Sequence, residues 1–84
     1  MTPKYSKQAK KRIEGMDTAT KQRIRKAISK IPEGDIKPLR GYPGLFRLRV
    51  GDWRIVFSYI DKETVLIERI SPRRNIYDEF TIRR

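Results

Sequence analysis

The sequence predicts an α+β domain in which two N-terminal helices pack on one face of a small, mainly antiparallel sheet. Three observations carry this. Apolar residues before Pro32 recur at helical spacing, those after Leu45 alternate with period two, and a proline- and glycine-containing stretch separates the two regimes. At 84 residues the chain has room for a single domain, 1–84, with one modest core.

Tyr5, Ala9, Ile13 and Met16 form one row of a short helix from Ser6 to Glu14. Ser6 suits its N-cap, and Gly15 suits the left-handed backbone that commonly ends a helix. Asp17 or Thr18 can cap a second helix running to about Lys30, with Ile24, Ala27, Ile28 and Ile31 on its buried stripe and Pro32 as its stop. The lysines and arginines of both helices read mostly as solvated faces. Residues 32–43 read as a connection with a short extended piece around Ile36 to Leu39. Then Phe46, Leu48 and Val50 alternate with Arg47 and Arg49, and Trp53, Ile55, Phe57 and Tyr59 with Arg54, Val56 and Ser58. Gly51-Asp52 between them suits a two-residue type II′ turn. A third strand, Val65 to Ile70, follows the polar turn Asp61-Lys62-Glu63-Thr64.

Composition narrows the chemistry. Without cysteine or histidine, disulfides, thiolate metal sites and imidazole acid–base catalysis are excluded, and no metal or cofactor is expected. No run of about 18 apolar residues is present, and Met1-Thr2-Pro3-Lys4-Tyr5 leads into a charged stretch, so a cytoplasmic protein without membrane contact is expected. Lys and Arg number 21 against 10 Asp and Glu, a formal net charge of +11. Such a field favours polyanions, with nucleic acid the leading partner class.

A two-residue turn at Gly51-Asp52 sets Val50 opposite Trp53, Arg49 opposite Arg54, Leu48 opposite Ile55 and Arg47 opposite Val56. Arg47, Arg49 and Arg54 then share one face, and the apolar residues share the other. Arginines opposed across two strands repel one another, which points to an anion between them. A phosphate fits the planar guanidinium fork. The competing reading is a solvated face relieved by a carboxylate, with Glu68 the obvious candidate. In the simplest register Arg69 joins the cationic face and Glu68 turns toward the core, while a slip of one residue reverses this. Downstream, Arg73 or Arg74 could hold a phosphate, and Tyr77 could stack on a base or pack at the domain edge. Trp53 reads as core.

The run Leu39-Arg40-Gly41-Tyr42-Pro43-Gly44-Leu45-Phe46-Arg47-Leu48-Arg49-Val50-Gly51-Asp52-Trp53-Arg54-Ile55-Val56-Phe57 resembles the central hairpin of the RelE/ParE toxin superfamily. Ser71-Pro72-Arg73-Arg74-Asn75-Ile76-Tyr77 resembles its closing motif, an arginine followed four residues later by tyrosine. The closest likeness is to RelE-type toxins of type II toxin–antitoxin pairs, which cut messenger RNA in the ribosomal A site. The resemblance implies a RelE-like fold, a cognate antitoxin, and ribosome and mRNA as partners. It places Arg47 and Arg49 at two basic strand positions, Arg54 at the phosphate-holding arginine, Arg73 at the second catalytic arginine and Tyr77 at the base-stacking tyrosine. Arg40, Arg69 and Arg74 would add RNA contacts.

The implied reaction is attack by the RNA 2′-hydroxyl on the adjacent phosphate. Arginines suit stabilisation of the charge that develops there. The best-known RelE pattern has lysines where this chain has Arg47 and Arg49, and arginine is effectively never deprotonated in a protein. A general base is therefore missing from the matched positions. Tyr77 could serve if neighbouring arginines lowered its pKa, or Glu68 if the register brings it to the face. Two other readings stay open: a ParE-like poison of DNA gyrase, and a nucleic-acid-binding module without catalysis.

Overall fold

The change of period near residue 45 is realised in the computed structural model, which describes residues 1–72. The elements run β1 (Thr2–Tyr5), α1 (Lys7–Glu14), α2 (Thr18–Ser29), β2 (Asp35–Pro38), β3 (Phe46–Val50), β4 (Trp53–Tyr59) and β5 (Thr64–Pro72). The strands form one sheet in the order β1-β5-β4-β3-β2, with β1 parallel to β5 and every other pair antiparallel. Both helices cover one face. Ala9 and Ile13 of α1 and Ile24 and Ile28 of α2 meet Leu48, Ile55, Phe57, Val65, Ile67 and Ile70 in a single core. Trp53 packs against it half-buried, as expected of a core residue at the sheet's end.

The β3–β4 hairpin has the expected register, with Val50 opposite Trp53 and Arg49 opposite Arg54. Gly51 takes φ +59°, which a type II′ turn requires at its first central position. A Cβ there would stand 2.5 Å from the Arg23 guanidinium, the movable end of a long side chain, so α2 reaches over the turn while it is the backbone conformation that demands glycine.

Three features differ from the expectations. The strand Thr2–Tyr5 was not foreseen: its alternation is short and interrupted by Pro3 and Lys4, and its partner lies some 62 residues away, with Thr2 opposite Thr64 and Tyr5 opposite Ile67. Gly15 ends α1 in the right-handed region at φ −85°, because the chain turns straight into α2 and the Gly15 N–H still bonds back to Lys11 and Arg12. The third strand extends to Pro72 and carries a bulge, Val56 pairing with Arg69 but Phe57 with Ile67.

That bulge has a backbone cost that α1 offsets. Beyond Tyr5, β1 no longer covers the edge of β5. The Ser6 N–H donates to the Ile67 carbonyl (2.9 Å) and the Ser6 hydroxyl to the Glu68 carbonyl (2.7 Å). The same hydroxyl accepts from the Ala9 N–H (3.1 Å), capping α1. Gln8 then imitates a strand, its Nε2 donating to the Ile70 carbonyl (3.2 Å) and its Oε1 accepting from the Ile70 N–H (3.1 Å).

Gln8→Ala leaves both polar groups of buried Ile70 without these partners, and chemical denaturation should show a loss of about 1–3 kcal/mol. Lys7→Ala, on the exposed side of the same turn, should change stability by less than about 0.5 kcal/mol.

Candidate nucleic-acid interface

The face turned away from the helices collects the charges. Leu48, Ile55 and Ile70 are in the core, so their strand neighbours lie on the other side. Across the four strands this gives one row of Asp35, Arg49, Arg54 and Ser71, and a second of Lys37, Arg47, Val56 and Arg69. Arg47, Arg49 and Arg54 thus share a face as the alternation predicts, and Arg69 joins them.

Glu68 corrects the simplest register. Ile67 and Ile70 are both wholly buried in the core although three positions apart, an odd spacing that an unbroken strand cannot place on one side. The bulge takes up the extra residue and leaves both Glu68 and Arg69 away from the core, on the arginine side. Glu68 does not turn toward the helices.

The carboxylate that relieves repulsion is another one. Arg47, whose side chain is only 13% exposed, meets the Asp35 carboxylate at 3.6 Å and the Asp35 carbonyl at 3.5 Å. Asp35 belongs to β2, which sequence reading marked only as an extended piece beginning one residue later. Among the described residues neither Arg49 nor Arg54 has an ion-pair partner, though they face each other at a paired-strand separation of roughly 4.5–5.5 Å between Cα atoms. Arg49 is exposed and Arg54 half-buried, its Nη1 making one long contact of 3.5 Å to the Trp53 carbonyl. Two adjacent guanidiniums without a counter-ion among the described residues have the donor geometry that suits an oxyanion.

The face is not flat. Val56, wholly buried, sits in the second row and is covered by Leu39, Tyr42 and Leu45. The connection 39–45 thus folds over the sheet, closed by the Leu39 N–H donating to the Leu45 carbonyl (2.9 Å), with Gly41 and Gly44 at φ +83° and +85°. Arg40 lies in this loop, exposed. Sequence reading missed this small apolar cap, Lys37 opposite Arg47, and Ser71 as the neighbour of Arg54. Pairing register alone would have revealed the last two. Arg73, Arg74 and Tyr77 lie outside the described residues.

A surface hollow of about 590 Å³ is on the opposite side, where Trp53 meets the α1–α2 junction. It is remote in character from the arginine rows. Among the described residues no helix is long and apolar enough to cross a membrane.

Residues 4–77 match the family described as the ParE toxin of the type II toxin–antitoxin system parDE. Toxin RelE3 of Methanocaldococcus jannaschii is 39% identical over 46 residues, which is 55% of this chain and about half, 51%, of that relative. Among solved structures, the fold is similar to the RelB–RelE antitoxin–toxin complex from Methanococcus jannaschii, with TM-score 0.70 and 26% identity over 90% of this chain and 96% of the other. It is similar also to the toxin–antitoxin complex RelBE2 from Mycobacterium tuberculosis, with TM-score 0.69 and 26% identity over 86% and 96%.

Because Arg49 and Arg54 repel, millimolar phosphate should raise the melting temperature of this protein, and Arg54→Ala should remove most of that rise. In low salt and without phosphate, Arg49→Gln should stabilise the fold by about 0.2–1 kcal/mol in a denaturant titration.

Proposed function

The chain belongs to the ParE toxin family of type II toxin–antitoxin systems, and from that premise we propose that it is a RelE-like endoribonuclease that cuts messenger RNA in the ribosomal A site. The observation that carries this reading is the opposed pair Arg49 and Arg54, held on one face with no carboxylate partner among the described residues. Likeness to RelE toxins in sequence and structure supports it. The reaction proceeds by attack of the 2′-hydroxyl oxygen on phosphorus. The P–O5′ bond breaks, the 5′ oxygen takes a proton supplied by water, and the products are a 2′,3′-cyclic phosphate and a 5′-hydroxyl.

In this scheme Arg49 and Arg54 stabilise the charge that grows on the phosphoryl oxygens. Arg47, already tied to Asp35, positions the strand more than it neutralises it. Glu68 is the proposed base that takes the 2′-hydroxyl proton, since the bulge sets it on the arginine side and Arg47, Arg49, Arg54 and Arg69 on that side cannot give up a proton. Arg73 supplies a second catalytic arginine and Tyr77 a stacking surface, as the matched motif implies. Arg40, Arg69 and Arg74 hold the flanking RNA backbone. One carboxylate without a designated acid makes a poor autonomous nuclease, which favours dependence on the ribosome to orient the codon. The site of action is then the cytoplasm, and the controlling partner is a cognate antitoxin of the kind present in the similar complexes.

A second reading draws on the family match itself: a ParE-like toxin that poisons DNA gyrase by binding it. It leaves the opposed arginines without a reaction to serve.

The deciding experiment adds purified protein to ribosomes stalled with a defined A-site codon and maps mRNA ends. Cuts within that codon are expected, falling about 10²–10³-fold in Arg54→Ala. Glu68→Gln should slow single-turnover cleavage strongly while mRNA-programmed ribosomes are still bound, and Glu68→Asp should recover part of the rate. Intact mRNA together with gyrase-linked DNA breaks in cells would replace this reading with the gyrase one.

A further inference from the structure

Resting on the toxin–antitoxin reading above, we propose that the hollow over Trp53 is an anchoring site for the antitoxin, taking an acidic segment of that partner with one or two apolar side chains seated on the tryptophan. Its place is the helix layer, away from the arginine rows. Gln8, Lys11, Arg12, Met16, Asp17 and Trp53 surround about 590 Å³, within the size range that holds a large side chain or two.

The lining has two parts of different character. Its floor is apolar: Met16 and Trp53 are both half-buried and pack against the core from its edge, so the hollow opens directly onto core side chains. A tryptophan half-covered at such a floor is the kind of group that anchors an interface. Its rim is cationic. Lys11 and Arg12 stand on it, and Lys7 and Lys10 continue the charge along the exposed side of α1, where Glu14 is the single carboxylate. A chain carrying a net charge of +11 does not favour a second copy of itself there, and an acidic partner is complementary.

RNA fits less well than protein. Asp17 also faces the hollow, and its carboxyl is held below its ordinary range chiefly by the Thr20 hydroxyl, so it stays ionised where a phosphate would have to approach. A peptide can place a backbone N–H or a lysine against that carboxylate, whereas every phosphate of a nucleic-acid backbone brought near it adds repulsion. The structures similar to this one were solved with an antitoxin attached to a toxin chain that this fold spans almost completely.

The consequence is that grip and blockade are separable. An antitoxin anchored at the hollow holds the toxin from the helix side, independently of whatever part of it covers the arginines. Variants of the rim then lose neutralisation and keep toxicity.

Trp53 is the chain's one tryptophan, so its emission reports the hollow directly. The probe is the cognate antitoxin, prepared without tryptophan, and the control is a 12-nucleotide single-stranded RNA. Saturating antitoxin is expected to shift Trp53 emission to the blue, and RNA to leave it unchanged. The double variant Lys11→Glu/Arg12→Glu should bind the antitoxin 10–100-fold more weakly and resist neutralisation on co-expression, while killing cells as the parent does. Lys26→Glu/Lys30→Glu, an equal charge change at the C-terminal end of α2 and its cap, should keep parental antitoxin affinity. Unchanged affinity in the rim variant, or antitoxin binding that leaves Trp53 emission unmoved, would overturn the proposal. An emission shift with RNA would overturn it in favour of a nucleic-acid site. Loss of A-site cleavage activity as such bears on the enzymatic reading alone, since neutralisation is scored against whatever toxicity the protein has.

Discussion

The backbone of β5 between Ile67 and Ile70 is the constraint on which the rest of this structure turns. A strand that must place two isoleucines in the core at an odd spacing needs one extra residue between them, and an extra residue breaks the ladder on both sides. On one side β4 absorbs the break by a change of register. On the other, the parallel strand β1 stops, and Ser6 and Gln8 supply the missing donors and acceptors from the start of α1. Buried peptide groups left without partners are costly, so the first turn of α1 is fixed by what β5 lacks.

This same irregularity shapes the charged face. A regular β5 would carry either Glu68 or Arg69 on the arginine side; the bulge delivers both. The face therefore gains a carboxylate beside its arginines. Asp35 answers a different need, neutralising Arg47 from the sheet's outer strand and leaving the Arg49–Arg54 pair without a carboxylate among the described residues. Repulsion is thus concentrated at one place instead of being spread over the sheet.

How far the sequence discloses all this depends on the range of the interaction concerned. The helices and the β3–β4 hairpin are legible because their signals are local: rows four apart, alternation, and a Gly-Asp turn that leaves one register. The opposed arginines follow from that turn. By contrast β1 is four residues containing a proline, and it becomes a strand only because β5 offers an edge some 60 residues later. The bulge is equally hidden, since either register gives β5 an acceptable pattern until Ser6 and Gln8 are in place. The cap of Leu39, Tyr42 and Leu45 over Val56 depends on where a glycine-rich connection folds back, which no periodicity encodes.

The parallel pairing of β1 with β5 has an outcome for the life of the chain during synthesis. Thr2–Tyr5 wait for a partner some 60 residues later in the chain, and Ser6 and Gln8 wait with them. Pairings so distant along the chain form late, after the helices and the central hairpin have been able to condense on their own. The charged face does not wait for it, because β5 joins β4 through the short turn after Tyr59 and brings Arg69 and Ser71 beside Val56 and Arg54 by local pairing. The arginine rows are therefore assembled by hairpins that close locally, and the last pairing to form seals the far edge of the sheet without altering the charged face.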